Sequence, residues 1–401
     1  MKVAFAGTGY VSDAYARDLQ YHSDLELVGA YDCDPGRLEA FTRFATKLRP
    51  ESPPRQYSSL NELLADEAVE TVVNLTNPRS HAAVTRQSLE AGKHVYSEKP
   101  LGMNLEEARS LAFLAKERNL RLSSAPCSFL SPAAQTLAKA VRDGTIGTVR
   151  VVYANFDDGM IAPKMTPWGW LNEFGIPWPA KDEFEVGCTV EHAGYFLTWL
   201  AGIFGPAREV TAFASCCIPD KGIEVEGMAP DFTAACLRYD ENVVVRATCG
   251  LVAPLDKSLT IVGDKGVLFV KNLRDDYGGI YLRHLPATGW QARIEPRVNR
   301  LRRRLERLLP FTLWSSHEWA LYRKIPQAIK EQSRNTASHK PVDFCRGLAE
   351  MAEAIQQGRT HRLSADLGFH IVELINALQN PAPETAKQKI SSSFDPIEPL
   401  A

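Results

Sequence analysis

Gly7-Thr8-Gly9-Tyr10-Val11-Ser12 closes a short β-type run at residues 2–6 and opens a polar–apolar stretch at residues 13–19 that suits a helix. A glycine turn between strand and helix lets the backbone approach a pyrophosphate closely. The helix start behind it offers unpaired N–H groups and partial positive charge. Gly7, Thr8, Gly9, Tyr10 and Val11 are therefore candidate contacts to a dinucleotide. Ser12 stands where the usual pattern ends in glycine, and it is small enough for close helix–strand packing. A second strand-like run, residues 25–31, ends at Asp32, about twenty residues beyond the glycines. An acidic side chain there accepts hydrogen bonds from the adenosine ribose and repels a 2′-phosphate, so NAD is favoured over NADP. Asp32 also fits a plain turn, Asp32-Cys33-Asp34-Pro35-Gly36, and Arg37 is close enough to leave NADP open.

Strands and helices must hold these residues in place. Residues 69–75 read as a buried strand leading into Thr76-Asn77-Pro78-Arg79-Ser80-His81, followed by a helix at 82–91 that stops at Gly92. Next come a short strand at 94–97, the tripeptide Glu98-Lys99-Pro100, a helix at 105–119 and a strand at 120–123. Strands alternating with helices predict a parallel, doubly wound sheet. Ligands of such sheets bind beyond the carboxyl ends of the strands, where Thr76, Asn77 and Glu98-Lys99-Pro100 all fall. These motifs predict one cleft.

With 401 residues, two domains are the natural expectation. Hydrophobic residues at 45% and charged residues at 23% are ordinary for a globular protein, and a formal charge of −2 gives no reason to expect a nucleic-acid partner. No apolar run approaches a membrane span. Residues 1–6 run straight into the glycine turn, reading as a strand rather than a signal peptide, so a cytoplasmic location is expected. The eight cysteines lack Cys-x-x-Cys spacing, and the adjacent Cys216 and Cys217 are too close for a zinc half-site. They read as idle or buried thiols, and no metal site is expected.

At Glu98-Lys99-Pro100 the pattern resembles the glucose–fructose oxidoreductase, inositol dehydrogenase and rhizopine-catabolism (Gfo/Idh/MocA) family. Supporting it are Gly7-Thr8-Gly9, Thr76-Asn77-Pro78 with His81, Ala91-Gly92-Lys93-His94-Val95, Asp143-Gly144-Thr145-Ile146-Gly147 and Leu363-Ser364-Ala365. The resemblance implies an α/β architecture: an N-terminal Rossmann doubly wound parallel sheet at 1–123, then a C-terminal α+β domain at 124–380. The second domain would be built on a large, mostly antiparallel open sheet, with a substrate cleft between the domains. Oligomers, dimeric or tetrameric, would form through the sheet's exposed face. Residues 149–154, 209–214, 232–239 and 243–248 read as strands of that sheet. A hairpin turns at Gly263-Asp264-Lys265-Gly266, and a helix spans 345–357. Residues 381–401, rich in Pro, Lys and Ser, read as a tail.

Removing hydride from a carbinol carbon requires a base for the hydroxyl proton. A lysine serves if partial burial lowers its pKa toward the working pH. The resemblance assigns that role to Lys99, with Glu98 helping to place the cofactor and Pro100 following a cis bond. A surface lysine ahead of a helix is the plain alternative. Thr76, Asn77, His81 and Glu98 join the expected cofactor contacts. Family members commonly carry an aspartate and, four residues on, a histidine facing the lysine; here Glu191 and Tyr195 stand at those positions. Their spacing puts both on one helix face, with His192 about 100° away. A phenol, titrating near about 10 in the free residue, is a poorer base than imidazole. Two readings stay open: a modified acid–base set of Lys99, Glu191 and Tyr195, or a drifted site in which Glu191 is structural.

An aromatic-rich loop carries Trp168, Trp170, Phe174, Trp178 and Phe184. Trp168, Trp170 and His192 are candidate substrate contacts, since aromatic faces stack on sugar rings; a loop packed on its own aromatics fits equally. Arg297, Arg300, Arg302, Arg303, Arg304 and Arg307 alternate with leucines, reading as a charged surface helix or a contact for anionic groups. Three functions are consistent with these residues. The first is an NAD-dependent oxidoreductase acting on CH–OH groups of a sugar, polyol or nucleotide sugar. The second is a redox-assisted glycoside hydrolase or lyase using transiently reduced NAD. The third is a non-catalytic NAD-binding protein.

Overall fold

The computed structural model of the chain describes residues 1–162, 169–252, 254–285, 300, 322–329, 342–381 and 387–400. Its first sheet is built from β1 (Lys2–Ala6), β2 (Glu26–Tyr31), β3 (Arg55–Gln56), β4 (Thr71–Asn74), β5 (His94–Ser97) and β6 (Leu122–Ser124). All five pairings are parallel, in the order β3-β2-β1-β4-β5-β6. The chain runs outward from β1 in both directions, so the ends of β1 and β4 form the switch point where such sheets bind ligands. β4 is buried along its whole length, as a central parallel strand must be when helices cover both faces.

The helices of this half are α1 (Ser12–Asp18), α2 (Pro35–Leu48), α3 (Leu60–Ala65), α4 (His81–Glu90) and α5 (Leu105–Glu117). Capping sets their starts. Asp34 accepts from the amides of Gly36 and Arg37 with Pro35 in the first turn, and Asn104 accepts from the Glu107 amide. The unit formed by α2, β3 and α3 carries no chemical motif and was not anticipated from the sequence.

After α6 (Pro132–Arg142) the chain enters a ten-stranded mixed sheet. It comprises β7 (Val149–Asp158), β8 (Glu209–Ser215), β9 (Phe232–Arg238), β10 (Val244–Gly250), β11 (Leu255–Asp256), β12 (Leu259–Gly263), β13 (Gly266–Val270), β14 (Ile280–His284), β15 (Arg323–Lys324) and β16 (Gln388–Lys389). Every pairing is antiparallel except β10 with β7. Two helices, α7 (Ala180–Val186) and α8 (Cys188–Phe204), lie beside it, and α8 fills the core with Phe196, Leu197, Trp199 and Leu200. The predicted hairpin is β12–β13, and the strands expected from the sequence match β7, β8, β9 and β10 with small shifts at their ends.

The C-terminal third departs from the expected division of the chain. The helix α9 (Arg346–Gln356) packs Leu348, Met351 and Ala352, with Cys345 before it, against Val3, Phe5 and Tyr15 of the first core. Its apolar stripe covers a face of the first sheet, although it falls within the range expected for the second domain. The helix α10 (Ala365–Gln379) then returns to both α5 and α8. Residues 387–400 are not the expected loose tail. β16 adds an edge strand to β8, Phe394 is buried, Ser392 bonds His370, and the Leu400 amide donates to Gln135 at 3.0 Å. Pro, Lys and Ser content gave the wrong reading because those few buried contacts decide the path.

Candidate active site

Gly7 marks the floor of the site. Its φ is +94°, and a Cβ there would lie 2.7 Å from the Leu75 carbonyl and the Thr76 amide, so a side chain is excluded where β1 passes β4. Asp32, at the end of β2, accepts from the Thr8 amide at 2.6 Å and the Thr8 hydroxyl at 3.0 Å; its other oxygen accepts from the Asp34 amide at 2.8 Å. The turn reading of Asp32 is seen directly in these bonds. Its half-buried carboxylate stands beside the glycine loop.

Around β4 the predicted residues form a second layer. Asn74 donates to the His81 carbonyl and to Thr85, and its oxygen accepts from the Thr76 hydroxyl at 2.7 Å. Asn77 accepts from the Ser80 amide, capping the short turn ahead of α4. His81 is buried; one ring nitrogen lies 2.8 Å from the Pro100 carbonyl and the other 3.0 Å from the Thr76 carbonyl. Burial lowers its pKa. The ring therefore ties the end of β4 to the Lys99–Pro100 bond, which is cis. It shapes the site from behind.

Glu98 accepts from the Tyr15 hydroxyl at 2.7 Å and from the Lys99 amide at 3.1 Å. Tyr15 comes from α1, so Glu98 is held from the cofactor side, a positioning contact that sequence reading missed. Lys99 reaches across to α8 and forms an ion pair with Glu191; both side chains are largely but not wholly covered. Here the expected electrostatics are reversed. Burial pulls the Lys99 pKa down, but Glu191, joined by Tyr195, Glu98 and Glu183, outweighs it and holds the ammonium above the ordinary lysine value. A carboxylate in contact stabilises charge more than partial burial penalises it.

Tyr195 lies one turn beyond Glu191 on α8. Its ring stacks on Phe156 of β7, centroids 4.9 Å apart and planes 5° apart, and the Arg274 guanidinium covers it at 4.9 Å. His192 faces a different set, as its helical angle predicts. Its ring nitrogens lie 3.0 Å from Asp158 and 3.5 Å from Glu183, and Lys257 also pairs with Asp158. Burial pushes Asp158 up, yet His192 and Lys257 outweigh it and hold the carboxyl below its usual range. Burial drives Glu183 up to about 7; His192 and Lys99 oppose the shift, and Glu191 adds to it. Asp158, Glu183, Lys257 and Arg274 carried no motif in the sequence. Their adjacency exists only because β7, α7, β11–β12 and the turn after β13 converge on α8.

The aromatic loop bridges the two halves. Asn172 donates to the carbonyls of Gly9 at 3.4 Å and Tyr10 at 3.3 Å, and Glu173 pairs with Arg17 of α1. Phe174 packs on Phe41 and Phe44 of α2, while Trp170 and Trp178 meet edge to face. This segment is thus a strap across the glycine loop, with Trp170 partly exposed. Trp168 lies outside the described residues, as does the Arg297–Arg307 segment apart from Arg300. None of the eight cysteines is in a disulfide. No helix among the described residues is long and apolar enough to cross a membrane.

The residues present fit a dinucleotide: a glycine turn whose backbone a Cβ would crowd, and an acidic side chain at the end of β2, both at the switch point of the sheet. Residues 1–125 match the family model described as an oxidoreductase family with an NAD-binding Rossmann fold, and residues 134–269 match the GFO/IDH/MocA C-terminal domain. An uncharacterised oxidoreductase of Synechocystis is 26% identical over 71% of this chain and 76% of its own length. Human trans-1,2-dihydrobenzene-1,2-diol dehydrogenase is 28% identical over 68% of this chain and 75% of its own. Among solved structures, aldose-aldose oxidoreductase from Caulobacter crescentus has a TM-score of 0.70 at 18% identity, covering 97% of this chain and 99% of that one. The WlbA dehydrogenase from Bordetella pertussis, solved with NADH and UDP-GlcNAcA, has a TM-score of 0.68 at 18% identity, covering 98% of each chain. Two consecutive family models on one chain lead to a plain conclusion: this chain belongs to the Gfo/Idh/MocA family of NAD-binding oxidoreductases.

Proposed function

We propose that the protein is an NAD-dependent dehydrogenase or reductase that interconverts a hydroxyl and a keto carbon of a sugar, polyol or nucleotide-linked sugar. The observation that carries this reading is the Lys99–Glu191 ion pair, with Tyr195 one turn along the same helix. Bound nicotinamide supplies the hydride acceptor or donor. Gly7, Thr8, Gly9, Tyr10 and Val11 would hold its phosphates, Asp32 its adenosine ribose, and Thr76, Asn77 and Glu98 its nicotinamide half. Asp32 disfavours a 2′-phosphate, which supports NAD over NADP.

The protein's own part is proton management. Glu191 fixes the Lys99 ammonium in one orientation and keeps it charged. A charged Lys99 donates its proton to the oxygen of a carbonyl being reduced. For a hydroxyl being oxidised, Lys99 first loses its proton to solvent, a step that Glu191 opposes, and the neutral amine then accepts the substrate's. Tyr195 presents its hydroxyl from the same helix face and serves as the second proton-bearing group. Among the relatives, a diol dehydrogenase and a structure holding NADH with a nucleotide sugar favour CH–OH chemistry on ring substrates.

The test is NADH formation, followed by absorbance, across free sugars, inositols and nucleotide sugars, in the wild type and in Lys99→Met. Stoichiometric NADH that Lys99→Met abolishes while NAD still binds supports the reading. Turnover without net NADH points instead to transient oxidation with elimination or hydrolysis. Conversion untouched by Lys99→Met removes Lys99 from the chemistry.

A further inference from the structure

Three cations meet where the two halves of the chain face each other. Lys99 is matched by Glu191, and Lys257 by Asp158. Arg274 is different: among the described residues, no carboxylate lies within ion-pair distance of its guanidinium, which packs over the face of Tyr195. The residue is intermediate in exposure, so part of its surface is accessible. Tyr10 of the glycine loop, Glu98 beyond β5, Asp158 at the end of β7 and the nearby Asp276 all lie within its electrostatic reach. Groups from both domains therefore surround it.

The turn that carries Arg274 is rigid. Asn272 accepts from the Arg274 amide at 2.9 Å, and Asp275 accepts from the Tyr277 amide at 3.2 Å. Asp276 is tied down by the Asp343 amide and by Arg346, and its carbonyl accepts from the Ala133 amide at 3.0 Å. The Leu273 amide bonds the Lys257 carbonyl, which sets both cations on one side of the cleft. The turn fixes where the side chain leaves the backbone, and the Tyr195 ring packed against the guanidinium limits the freedom lost on binding.

We infer that Arg274 is a specificity-determining residue that binds a carboxylate on the substrate, making the preferred substrate a sugar acid rather than a neutral sugar. A planar guanidinium with five donors matches a carboxylate bidentately. The reacting hydroxyl must lie within hydrogen-bond reach of Lys99 or Tyr195. Arg274 sits against that same Tyr195 ring, so the carboxylate belongs near the reacting carbon. Of the carboxylates that act on it, Asp158 is engaged by Lys257, Glu98 by Tyr15, and Asp276 by Arg346 and the Asp343 amide, while Glu191 pairs with Lys99. The inference rests on the dehydrogenase reading for which hydroxyl reacts, but not for the binding itself.

The experiment is calorimetric titration of the full chain, saturated with NAD, with matched pairs: D-glucuronate and D-glucose, D-galacturonate and D-galactose, UDP-glucuronate and UDP-glucose. Glucose 6-phosphate separates a phosphate from a carboxylate. In at least one pair the acid is expected to bind roughly 10- to 100-fold more tightly than its neutral partner. Arg274→Gln should erase that margin while NAD affinity holds, and Arg274→Lys should keep part of it, which separates lost charge from lost folding. Equal binding within every pair, no binding of any acid, or stronger binding of the sugar phosphate overturns the inference. So does an Arg274→Gln loss that falls on NAD itself, since the guanidinium would then serve the dinucleotide's phosphates. Charge-selective binding without any NADH formation would leave Arg274 assigned and remove the dehydrogenase reading.

Discussion

The Lys99 ammonium, beyond β5 in the first domain, is paired with the Glu191 carboxylate on α8 in the second. This contact spans the seam between the two sheets, so the proposed acid–base centre needs both in place. It also fixes the sign of the electrostatics, because Glu191 holds Lys99 above its ordinary pKa where burial alone would lower it.

Glu191→Gln removes the largest of the charges that oppose burial, leaving Tyr195, Glu98 and Glu183. The Lys99 pKa then falls. The limb of the pH–rate profile governed by Lys99, ascending in oxidation and descending in reduction, is expected to move to lower pH. The rate at the optimum should drop roughly 10- to 100-fold through lost orientation. A full pH profile of kcat/KM decides; an unmoved limb assigns it to another group.

Tyr195→Phe keeps the ring stacked on Phe156 and under Arg274 but deletes the hydroxyl. If that hydroxyl handles a proton, the single-turnover rate falls by roughly 100-fold or more while NAD affinity changes by less than about twofold. Unchanged single-turnover kinetics would place Tyr195 among the packing residues.

Asp32→Ala should weaken NAD binding by roughly tenfold or more and narrow its preference over NADP. Because Asp32 also holds the Thr8 and Asp34 amides, part of this loss comes from the loop itself. Asp32→Asn, which retains one acceptor oxygen, should fall between wild type and Ala. Fluorescence titration with both cofactors measures each; equal wild-type affinities for the two would sink the ribose assignment.

His370 predicts a pH dependence of stability. It is buried, accepts from the Ala207 amide and contacts Ser392; burial lowers its pKa from 6.5 to about 4. The unfolded chain therefore binds a proton that the folded chain refuses. The stabilisation is intact above the unfolded pKa and is lost as pH falls from 6.5 through the folded value of about 4. It amounts to about 3 kcal/mol when complete. Thermal midpoints recorded across that window should fall more steeply for wild type than for His370→Gln. Parallel curves would contradict the assignment.

Much of the cofactor half was legible from the chain alone, for local reasons. The glycine turn after β1 demands a residue tolerant of φ +94°, Asp32 closes β2, and alternating strands and helices permit few arrangements besides a parallel sheet. Glu191 and Tyr195 were also legible as a pair, since helical periodicity sets which residues share a face. The Arg297–Arg307 segment and Trp168 remain sequence features outside the described residues.

Contacts between residues far apart in the chain were settled only in three dimensions. Tyr15 meeting Glu98, α9 returning to the first core, residues 387–400 closing the second sheet, and Arg274 lying over Tyr195 all join elements with no shared period or motif. The charge state of Lys99 belongs with them. A sequence shows that a lysine is there, but its proton affinity is set by whichever carboxylate the fold brings within a few ångströms, and distance enters Coulomb's law where sequence separation does not.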